Sequence, residues 1–144
     1  MTGQEYEVRC ARYLRRHGFH RVSLTQGSGD QGIDILARRH GKLYGFQCKY
    51  YAGSVGNKAV QEAYSGARYY GCDRAAVITN SSFTPSAQDL AESTEVELWS
   101  GISFRERKHG FLKFLLVLLI LAAVLFVLDR SGLLIRLLGR YILR

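Results

Sequence analysis

Residues 29–50 read GDQGIDILARRHGKLYGFQCKY, and this stretch decides the fold. It predicts two strands joined by a tight turn at His40 and Gly41, because glycine accepts the positive φ that a two-residue hairpin turn requires. If those two residues form the whole loop, Asp34 faces Gln47 across the hairpin. A slip of one residue would remove that pairing, so the prediction depends on the register.

The hairpin is expected to carry an unusual polar face. Gln47 and Lys49 lie two apart on one strand, so their side chains leave the same face. In the same register Gly32 faces Lys49. A carboxylate from Asp34, a carboxamide and an ammonium are therefore expected together. Taken singly, Asp34 and Lys49 are more typical of a solvent-exposed strand. The shared face favours a site only in part, because hairpins often carry mixed polar faces.

This combination of side chains suits phosphodiester hydrolysis with a hard divalent cation, Mg²⁺ or Mn²⁺. Mg²⁺ binds oxygen ligands and commonly takes only one or two protein carboxylates. Asp34 is therefore the predicted anionic ligand, with the Gln47 side-chain oxygen and the Cys48 carbonyl as neutral ligands. The cation would activate a bound water and stabilise charge on the phosphate. Lys49 would orient that water or neutralise the developing charge.

Length and charge limit the class of protein. The chain has 144 residues, enough for one domain and an appendage, and its net charge of +8 indicates an anionic partner such as nucleic acid or lipid head groups. The three cysteines form no CxxC pair, so neither zinc nor a disulfide is expected. The N-terminus has no apolar segment of the secretory type. A cytoplasmic domain is the resulting expectation.

Helix and strand signals alternate along the chain in the order α-β-β-β-α-β-α-β. Thr2 and Glu5 form a capping box at the start of the first helix. Thr84 and Pro85 are typical of a helix start, with threonine as N-cap and proline at the first helical position. The sequence therefore predicts an α/β fold, a central mixed sheet flanked by helices in three layers. The predicted helices are 3–17, 58–70 and 84–93, and the strands outside the hairpin are 20–25, 74–79 and 95–99.

A set of short motifs follows the chain in order. They are GxxYE at 3–7, GSGDQGIDIL at 27–36, FQCKYY at 46–51, VGNKAVQE at 55–62, VITNSSFTPSA at 77–87 and VELW at 96–99. Together they resemble the catalytic domain of Mrr-type restriction endonucleases, in the PD-(D/E)xK nuclease superfamily, over about residues 3–100. The resemblance implies a restriction-endonuclease-like fold and a metal-dependent, type IV-like endonuclease acting on double-stranded DNA, often modified foreign DNA. In this branch Gln47 stands where the superfamily usually has Glu.

The same resemblance implies roles for two helical residues. Glu7 on the first helix corresponds to the acid that approaches the metal, directly or through water. It is also compatible with a first-turn carboxylate favoured by the helix dipole. Gln61 matches a polar position that superfamily members turn toward the active site. An exposed helix surface explains it equally well.

Five further residues are candidates for the site or for DNA contact. Asp30 reaches the metal only if the neighbouring glycines bend the chain, and otherwise it is a turn residue. Asn57 and Lys58 end the loop GSVGNK, whose backbone N–H groups suit a phosphate contact, although a plain loop fits as well. Thr79 and Asn80 end a strand, where ligands gather in α/β sheets. Asn80, followed by Ser81, is also ordinary turn chemistry.

The composition changes after the basic linker 105–110. Residues 111–128 read FLKFLLVLLILAAVLFVL, with a single charge, and predict a transmembrane helix of about 27 Å. The alternative is a core helix. Residues 133–144 place three arginines four apart and predict a basic amphipathic tail at the lipid interface. Basic residues flank both sides of the apolar run, so the positive-inside rule hardly discriminates its orientation. The tail is expected either to end outside, as in a single-pass anchor, or to fold back as a hairpin.

The leading hypothesis is therefore a membrane-tethered, Mg²⁺-dependent DNA endonuclease over residues 1–104, with the nuclease domain in the cytoplasm. A homodimer is expected, because cutting both strands often requires two active sites. One alternative is a catalytically inactive, membrane-anchored module that binds nucleic acid through its basic surface. Another is a membrane interaction protein whose tail drives oligomerisation.

Overall fold

The computed structural model describes residues 1–25, 31–104 and 110–130, and in the last range the side chains of 114–128 and 130. The chain divides into two units, Met1–Arg105 and Glu106–Arg144. The described elements follow the predicted order. They are α1 (Gly3–Arg16), β1 (His20–Leu24), β2 (Ile35–Arg39), β3 (Lys42–Lys49), α2 (Asn57–Tyr69), β4 (Arg74–Thr79), α3 (Pro85–Thr94), β5 (Glu97–Trp99) and α4 (Gly110–Arg130).

The five strands form one mixed sheet in the order β1-β2-β3-β4-β5. β1, β2 and β3 pair antiparallel, whereas β3, β4 and β5 pair parallel. β3 is therefore the central strand, with an antiparallel neighbour on one side and a parallel neighbour on the other. The predicted mixed sheet with flanking helices is confirmed.

Two cores cover the two faces of the sheet, which makes three layers. α1 packs on one face. The core that it forms with the sheet contains Tyr6, Cys10, Ala11, Leu14, Phe19, Ile35, Ala37, Phe46, Cys48, Ala76 and Ile78. α2 and α3 cover the other face, and the core there contains Ile33, Val55, Ala59, Val60, Ala63, Ala67, Ala75, Val77, Phe83, Ala87, Ala91 and Val96. β4 is buried along nearly its whole length, as expected for a strand covered on both faces.

Local signals set the helix ends. The Thr2 side chain accepts from Glu5 N at 3.2 Å, and the Glu5 carboxylate accepts from Thr2 N at 2.9 Å, which completes the predicted capping box. Thr84 Oγ1 accepts from Ala87 N at 3.2 Å, with proline at the start of α3. Both helices therefore begin within one residue of the predicted positions.

The hairpin turn is the predicted one. His40 and Gly41 have φ of 50° and 78°, and two successive positive φ values are the signature of a type I′ turn. Arg39 consequently faces Lys42, and the same register continues to Ile35 opposite Phe46. The predicted register is confirmed over the whole of β2.

The prediction that the strand extends through Asp34 is wrong. β2 begins at Ile35, and the backbone N–H of Asp34 donates to Phe46 O at 2.8 Å, out of the regular register, although its side chain still meets that of Gln47. Ile33 packs in the core under α2, whereas Ile35 packs in the core under α1. Two residues that a regular strand would hold on one face thus lie on opposite faces, because the chain bends at Asp34.

The second unit contributes α4. This helix runs over 21 residues, from Gly110 to Arg130. In the part of the chain that the structure describes, no helix is both long and apolar enough to cross a membrane. The predicted transmembrane helix over 111–128 is therefore not supported. The linker at 105–109 and the tail at 133–144 lie outside the described residues.

Candidate active site

A polar cleft of about 640 Å³ opens where β3 ends. It brings together side chains from α1, from the segment before β2, from β3 and from α2. The lining residues are Glu7, Gln31, Gly32, Asp34, Gln47, Cys48, Lys49, Lys58, Gln61, Glu62 and Ser65. The three residues predicted from the hairpin, Asp34, Gln47 and Lys49, are all among them.

Asp34 is held from several sides. Its carboxylate Oδ2 accepts from Gln47 Nε2 at 2.7 Å and from Cys48 N at 2.6 Å. Its backbone carbonyl accepts from Thr25 N at 3.0 Å. Only 6% of the residue is exposed. These bonds fix the direction of the carboxylate, so the site is organised before any ligand enters.

Gln47 presents a buried oxygen without a hydrogen-bond partner. The residue is 5% exposed, and among the described residues its Oε1 has no donor within reach. Turning the amide over would set Oε1 against the Asp34 carboxylate, two acceptors facing each other, so the present orientation is the favoured one. A buried, unpaired acceptor costs free energy unless a ligand satisfies it. The atom is therefore suited to a cation.

The donor set fits Mg²⁺ or Mn²⁺ better than a softer metal. Within the described ranges no group of three or more His, Cys, Asp or Glu side chains is placed to hold a metal ion. Asp34 and the Gln47 oxygen supply one carboxylate and one neutral oxygen. Mg²⁺ usually keeps several waters and takes few protein ligands, so this small oxygen set is compatible with it.

Lys49 has a partner that the sequence analysis missed. Its ammonium lies 2.7 Å from Glu62 Oε2, and both side chains are partly buried, at 22% and 29% exposure. Lys58 lies 3.9 Å from the other Glu62 oxygen, but its side chain is 88% exposed. Glu62 ends the VGNKAVQE motif, and its i,i+4 spacing from Lys58 was the available signal.

Glycine allows the segment before Asp34 to lie against α2. A Cβ on Gly32, which has φ of +83°, would stand 2.7 Å from the Glu62 carbonyl oxygen. A Cβ on Gly66 would collide with the Gln31 carbonyl oxygen. Side chains at either position would push the segment off the helix, and Asp34 would move with it.

Glu7 reaches the same cleft from α1 and is half-buried. The neighbouring Tyr6 is fully buried and anchors the helix, since its hydroxyl donates to Ile102 O at 2.8 Å. A hydrogen bond to the Cys10 thiol, burial and the negative charges of Asp34 and Glu7 hold the pKa of the Cys48 thiol well above its usual range. That thiol is therefore neutral at physiological pH, and Cys48 serves the site through its backbone.

The other predicted residues divide into two groups. Lys58 and Gln61 line the cleft from α2, with exposed side chains. Asn80 instead binds the Tyr51 backbone, donating to its carbonyl and accepting from its N–H, each at 2.8 Å. Thr79 is fully buried beside Lys49 and accepts from Ser81 N.

These contacts give Thr79 and Asn80 structural roles at the end of β4. Neither residue, nor Asn57 at the start of α2, is among the described residues that line the cleft. Asp30 lies outside the described residues.

The chain is similar to known proteins over its first 107 residues. The family model Mrr_cat, described as a restriction endonuclease, matches residues 1–107. A curated relative from Archaeoglobus fulgidus, an uncharacterized protein, is 30% identical over 106 residues, which cover 68% of this chain and 60% of the relative. The chain thus spans less than two thirds of that relative's length.

Solved structures share the architecture. A crystal structure of a protein of unknown function superposes with a TM-score of 0.57 at 25% identity, over 65% of this chain and 55% of that one. The DNA modification-dependent restriction endonuclease AspBHI gives 0.54 at 20% identity, over 67% and 28%. EndoMS in complex with double-stranded DNA gives 0.53 at 20%, over 74% and 47%. The likenesses to AspBHI and EndoMS show a shared fold, the mixed sheet with flanking helices of restriction endonucleases.

Proposed function

The chain belongs to the Mrr_cat restriction endonuclease family, and from that premise we propose that it is a metal-dependent endonuclease hydrolysing phosphodiester bonds of double-stranded DNA. Its proposed role is restriction of foreign DNA, including modified DNA, as a type IV-like enzyme. The observation that carries the proposal is the cleft in which Asp34, the unpaired Gln47 oxygen and Lys49 lie together.

Each residue has a definite task in this proposal. Asp34 and Gln47 Oε1 hold the cation, Mg²⁺ or Mn²⁺, with the Cys48 carbonyl and Glu7 as further ligands, Glu7 directly or through water. When bound, such a cation lowers the pKa of a coordinated water and stabilises negative charge on the phosphate. The Lys49 ammonium carries three donors and forms an ion pair with Glu62 at 2.7 Å, in which Glu62 Oε2 meets no hydrogen-bond geometry among the described residues. It would orient the attacking water or a phosphate oxygen.

DNA as the substrate is supported mainly by fold. The full chain has a net charge of +8, which is compatible with a polyanion, although residues 1–104 hold 12 Lys/Arg and 10 Asp/Glu and so contribute only +2 of it. EndoMS, which shares the fold, has been solved with double-stranded DNA, and AspBHI is a modification-dependent restriction endonuclease. In this proposal Lys58 and Gln61 contact the DNA from α2, and Asp30 stays a candidate for the site.

The decisive assay uses the purified full chain, supercoiled plasmid with and without methylated cytosine, and Mg²⁺ or Mn²⁺. Nicking that EDTA abolishes is expected, and Asp34→Ala and Lys49→Ala are expected to be at least ~100-fold slower. Asp89→Ala on α3 and Lys42→Ala at the opposite end of β3 are matched controls, expected to cut within about twofold of the parent rate.

Two outcomes of this assay would contradict the proposed nuclease activity. A parent protein that leaves both plasmids intact, or an Asp34→Ala variant that cuts as fast as the parent, would refute the nuclease. DNA binding that depends on salt but not on metal or Asp34 would then favour the inactive binding module.

The proposal includes membrane attachment through the second unit. Its support is the composition of residues 111–128 and the exposure of the described α4 side chains, which range from 42% to 67% for the large apolar residues between Phe114 and Val127. An exposed apolar surface of this extent is typical of a site that binds a membrane or another protein. Flotation of the full chain with anionic vesicles, compared with a chain ended at residue 104, tests attachment; equal behaviour of the two would contradict it.

The proposed location is the cytoplasmic side of the membrane, with a homodimer providing one active site for each DNA strand. A reporter fused after Arg144 would test the side on which the tail ends. Sedimentation of the purified protein would test the oligomeric state.

A further inference from the structure

Glu62 makes two separate contacts within the cleft. Its carboxylate lies 2.7 Å from the Lys49 ammonium, between two side chains that are each less than one-third exposed. Its backbone carbonyl lies against Gly32, two residues before Asp34, at a spacing that leaves no room for a side chain. One residue of α2 therefore touches both parts of the Asp34–Lys49 constellation, although it belongs to neither strand of the hairpin.

The two contacts of Glu62 restrict the positions of the Lys49 side chain and of the segment before Asp34. Lysine ends a flexible four-carbon stem, and an ammonium without a fixed partner samples many positions. Asp34 lies outside the regular pairing of β2, and besides its own hydrogen bonds its placement depends on the segment that precedes it. α2 supports that segment over a single turn, with Glu62 against Gly32 at one end and Gly66 against Gln31 at the other.

We propose that Glu62 is a positioning residue for the nuclease reaction. Its carboxylate holds the Lys49 ammonium in the cleft, and its backbone carbonyl contacts Gly32 in the segment that carries Asp34. Glu62 thereby fixes the position of Lys49 relative to Asp34. This inference rests on the proposed nuclease function and adds to it a residue from outside the D…QxK hairpin. Glu62 acts through Lys49 and Gly32, so its proposed role is distinct from that of the predicted metal ligands.

A different role would be a latch in which Glu62 withholds Lys49 from the substrate. The two roles predict opposite changes in the rate of cutting when the charge of Glu62 is removed. Glu62→Gln keeps the shape and removes the charge, so the contact with Gly32 is retained. A positioning role predicts a slower enzyme, whereas a latch predicts a faster one.

The experiment measures kcat and KM for plasmid nicking by the full chain. Glu62→Gln is expected to lower kcat by about 10- to 100-fold, the scale of a small misplacement of a reacting group, with KM within about twofold. Glu62→Asp keeps the charge with shorter reach and is expected to recover part of the loss. Glu92→Gln, the same change on the exposed surface of α3, is the matched control and is expected to match the parent.

A double-mutant cycle separates positioning from a general structural effect. If Glu62 acts through Lys49, the Lys49→Ala/Glu62→Gln double variant is as slow as Lys49→Ala alone. Multiplied losses, an unchanged or higher kcat in Glu62→Gln, or a rise in KM alone would overturn the inference. If Glu62→Gln does not fold, the kcat of Glu62→Asp decides by the same criteria. A parent that does not cut DNA refutes the proposed function itself, whereas a parent and Glu62→Gln that cut equally refute this inference alone.

Discussion

The backbone N–H of Cys48 donates to Asp34 Oδ2 over 2.6 Å, just beyond the last regular pair of β2 and β3, Ile35 opposite Phe46. The carboxylate thus takes the place of a strand carbonyl as the acceptor for β3. The direction of the Asp34 carboxylate therefore follows from β3, the central strand, which is paired on both sides. The consequence is that the same residue supports both the fold and the proposed reaction.

Asp34→Ala is expected to destabilise the domain as well as to abolish cutting. The change leaves the Cys48 N–H and Gln47 Nε2 as buried donors without an acceptor, which costs about 2–4 kcal/mol in the free energy of unfolding. Asp34→Asn keeps one acceptor and is expected to lose less stability while also losing activity. Urea unfolding followed by the fluorescence of Trp99, the single tryptophan, measures this. Equal stability of parent and Asp34→Ala would contradict it, and Asp89→Ala is the control.

Gln47→Glu is expected to make folding depend on the divalent cation. Two carboxylates would then face each other where Gln47 Nε2 now donates to Asp34, at positions only 5% and 6% exposed. Like charges at such a site disfavour the ionised pair, so the melting temperature without metal falls. A bound cation reverses this, and Mg²⁺ therefore raises the melting temperature of the variant more than that of the parent.

Thermal unfolding with EDTA and with Mg²⁺ checks the prediction for Gln47→Glu. Gln4→Glu on the exposed first turn of α1 is the control, expected to respond to Mg²⁺ as the parent does. A Gln47→Glu variant that is as stable as the parent in EDTA would show that the two side chains do not share one buried site.

Gly66→Ala is expected to destabilise the contact between α2 and the segment before Asp34. The added methyl group would collide with the Gln31 carbonyl oxygen and stand 2.7 Å from Ile33 Cγ1. Overpacking of this kind costs about 1–3 kcal/mol. Gly53→Ala, where a Cβ meets nothing within 4 Å, is the matched control with an expected change below about 0.5 kcal/mol. The same shift for both variants would mean that the effect arises from glycine replacement in general.

The cysteines are expected to differ in their reactivity with iodoacetamide. Burial and the neighbouring Asp73 raise the pKa of Cys72 to about 11, so its thiolate fraction at pH 8 is ~100-fold below that of an ordinary thiol. Its alkylation rate is expected to rise about tenfold per pH unit up to that value. Mass spectrometry of labelled peptides measures this, and a plateau near pH 9 would contradict it. Cys10 and Cys48 are buried and are expected to react only after unfolding.

The Cys72 thiol also affects stability at alkaline pH. Because its pKa is higher in the folded chain than the ordinary value of 9.0, the folded state holds the proton more tightly. The resulting stabilisation is complete below about pH 9 and is lost as the pH rises toward about 11. Cys72→Ala is expected to remove this part of the pH dependence, as measured by urea unfolding between these two values.

The features that the sequence predicted well depend on neighbouring residues in the chain. The turn at His40 and Gly41 needs only two positive φ values, and that turn sets the register of β2 on β3. The capping box at Thr2 and the proline at the start of α3 likewise act over three or four residues. Gln47 and Lys49 share a face because side chains alternate along any strand.

Long-range contacts decided the rest. The bend at Asp34 arises from Gly32 and Gly66, which are far apart in sequence and meet where the chain lies against α2. Gln61 and Glu62 both line the cleft, but it is Glu62 that contacts Lys49. Which of the two neighbouring side chains reaches Lys49 depends on how α2 is rotated about its axis on the sheet. Asn80 looked like a ligand position at a strand end, yet its amide binds the Tyr51 backbone.

By itself the sequence determined the order of elements, the hairpin register and a set of three polar residues, Asp34, Gln47 and Lys49, that line one cleft. These follow from periodicity, turn chemistry and side-chain type, all of which act locally. Only the tertiary structure decided that Asp34 leaves the strand, that the buried Gln47 oxygen has no hydrogen-bond partner among the described residues, and that Glu62 forms an ion pair with Lys49. Each of these depends on burial and on contacts between distant segments, which exist only once α2 has packed on the sheet.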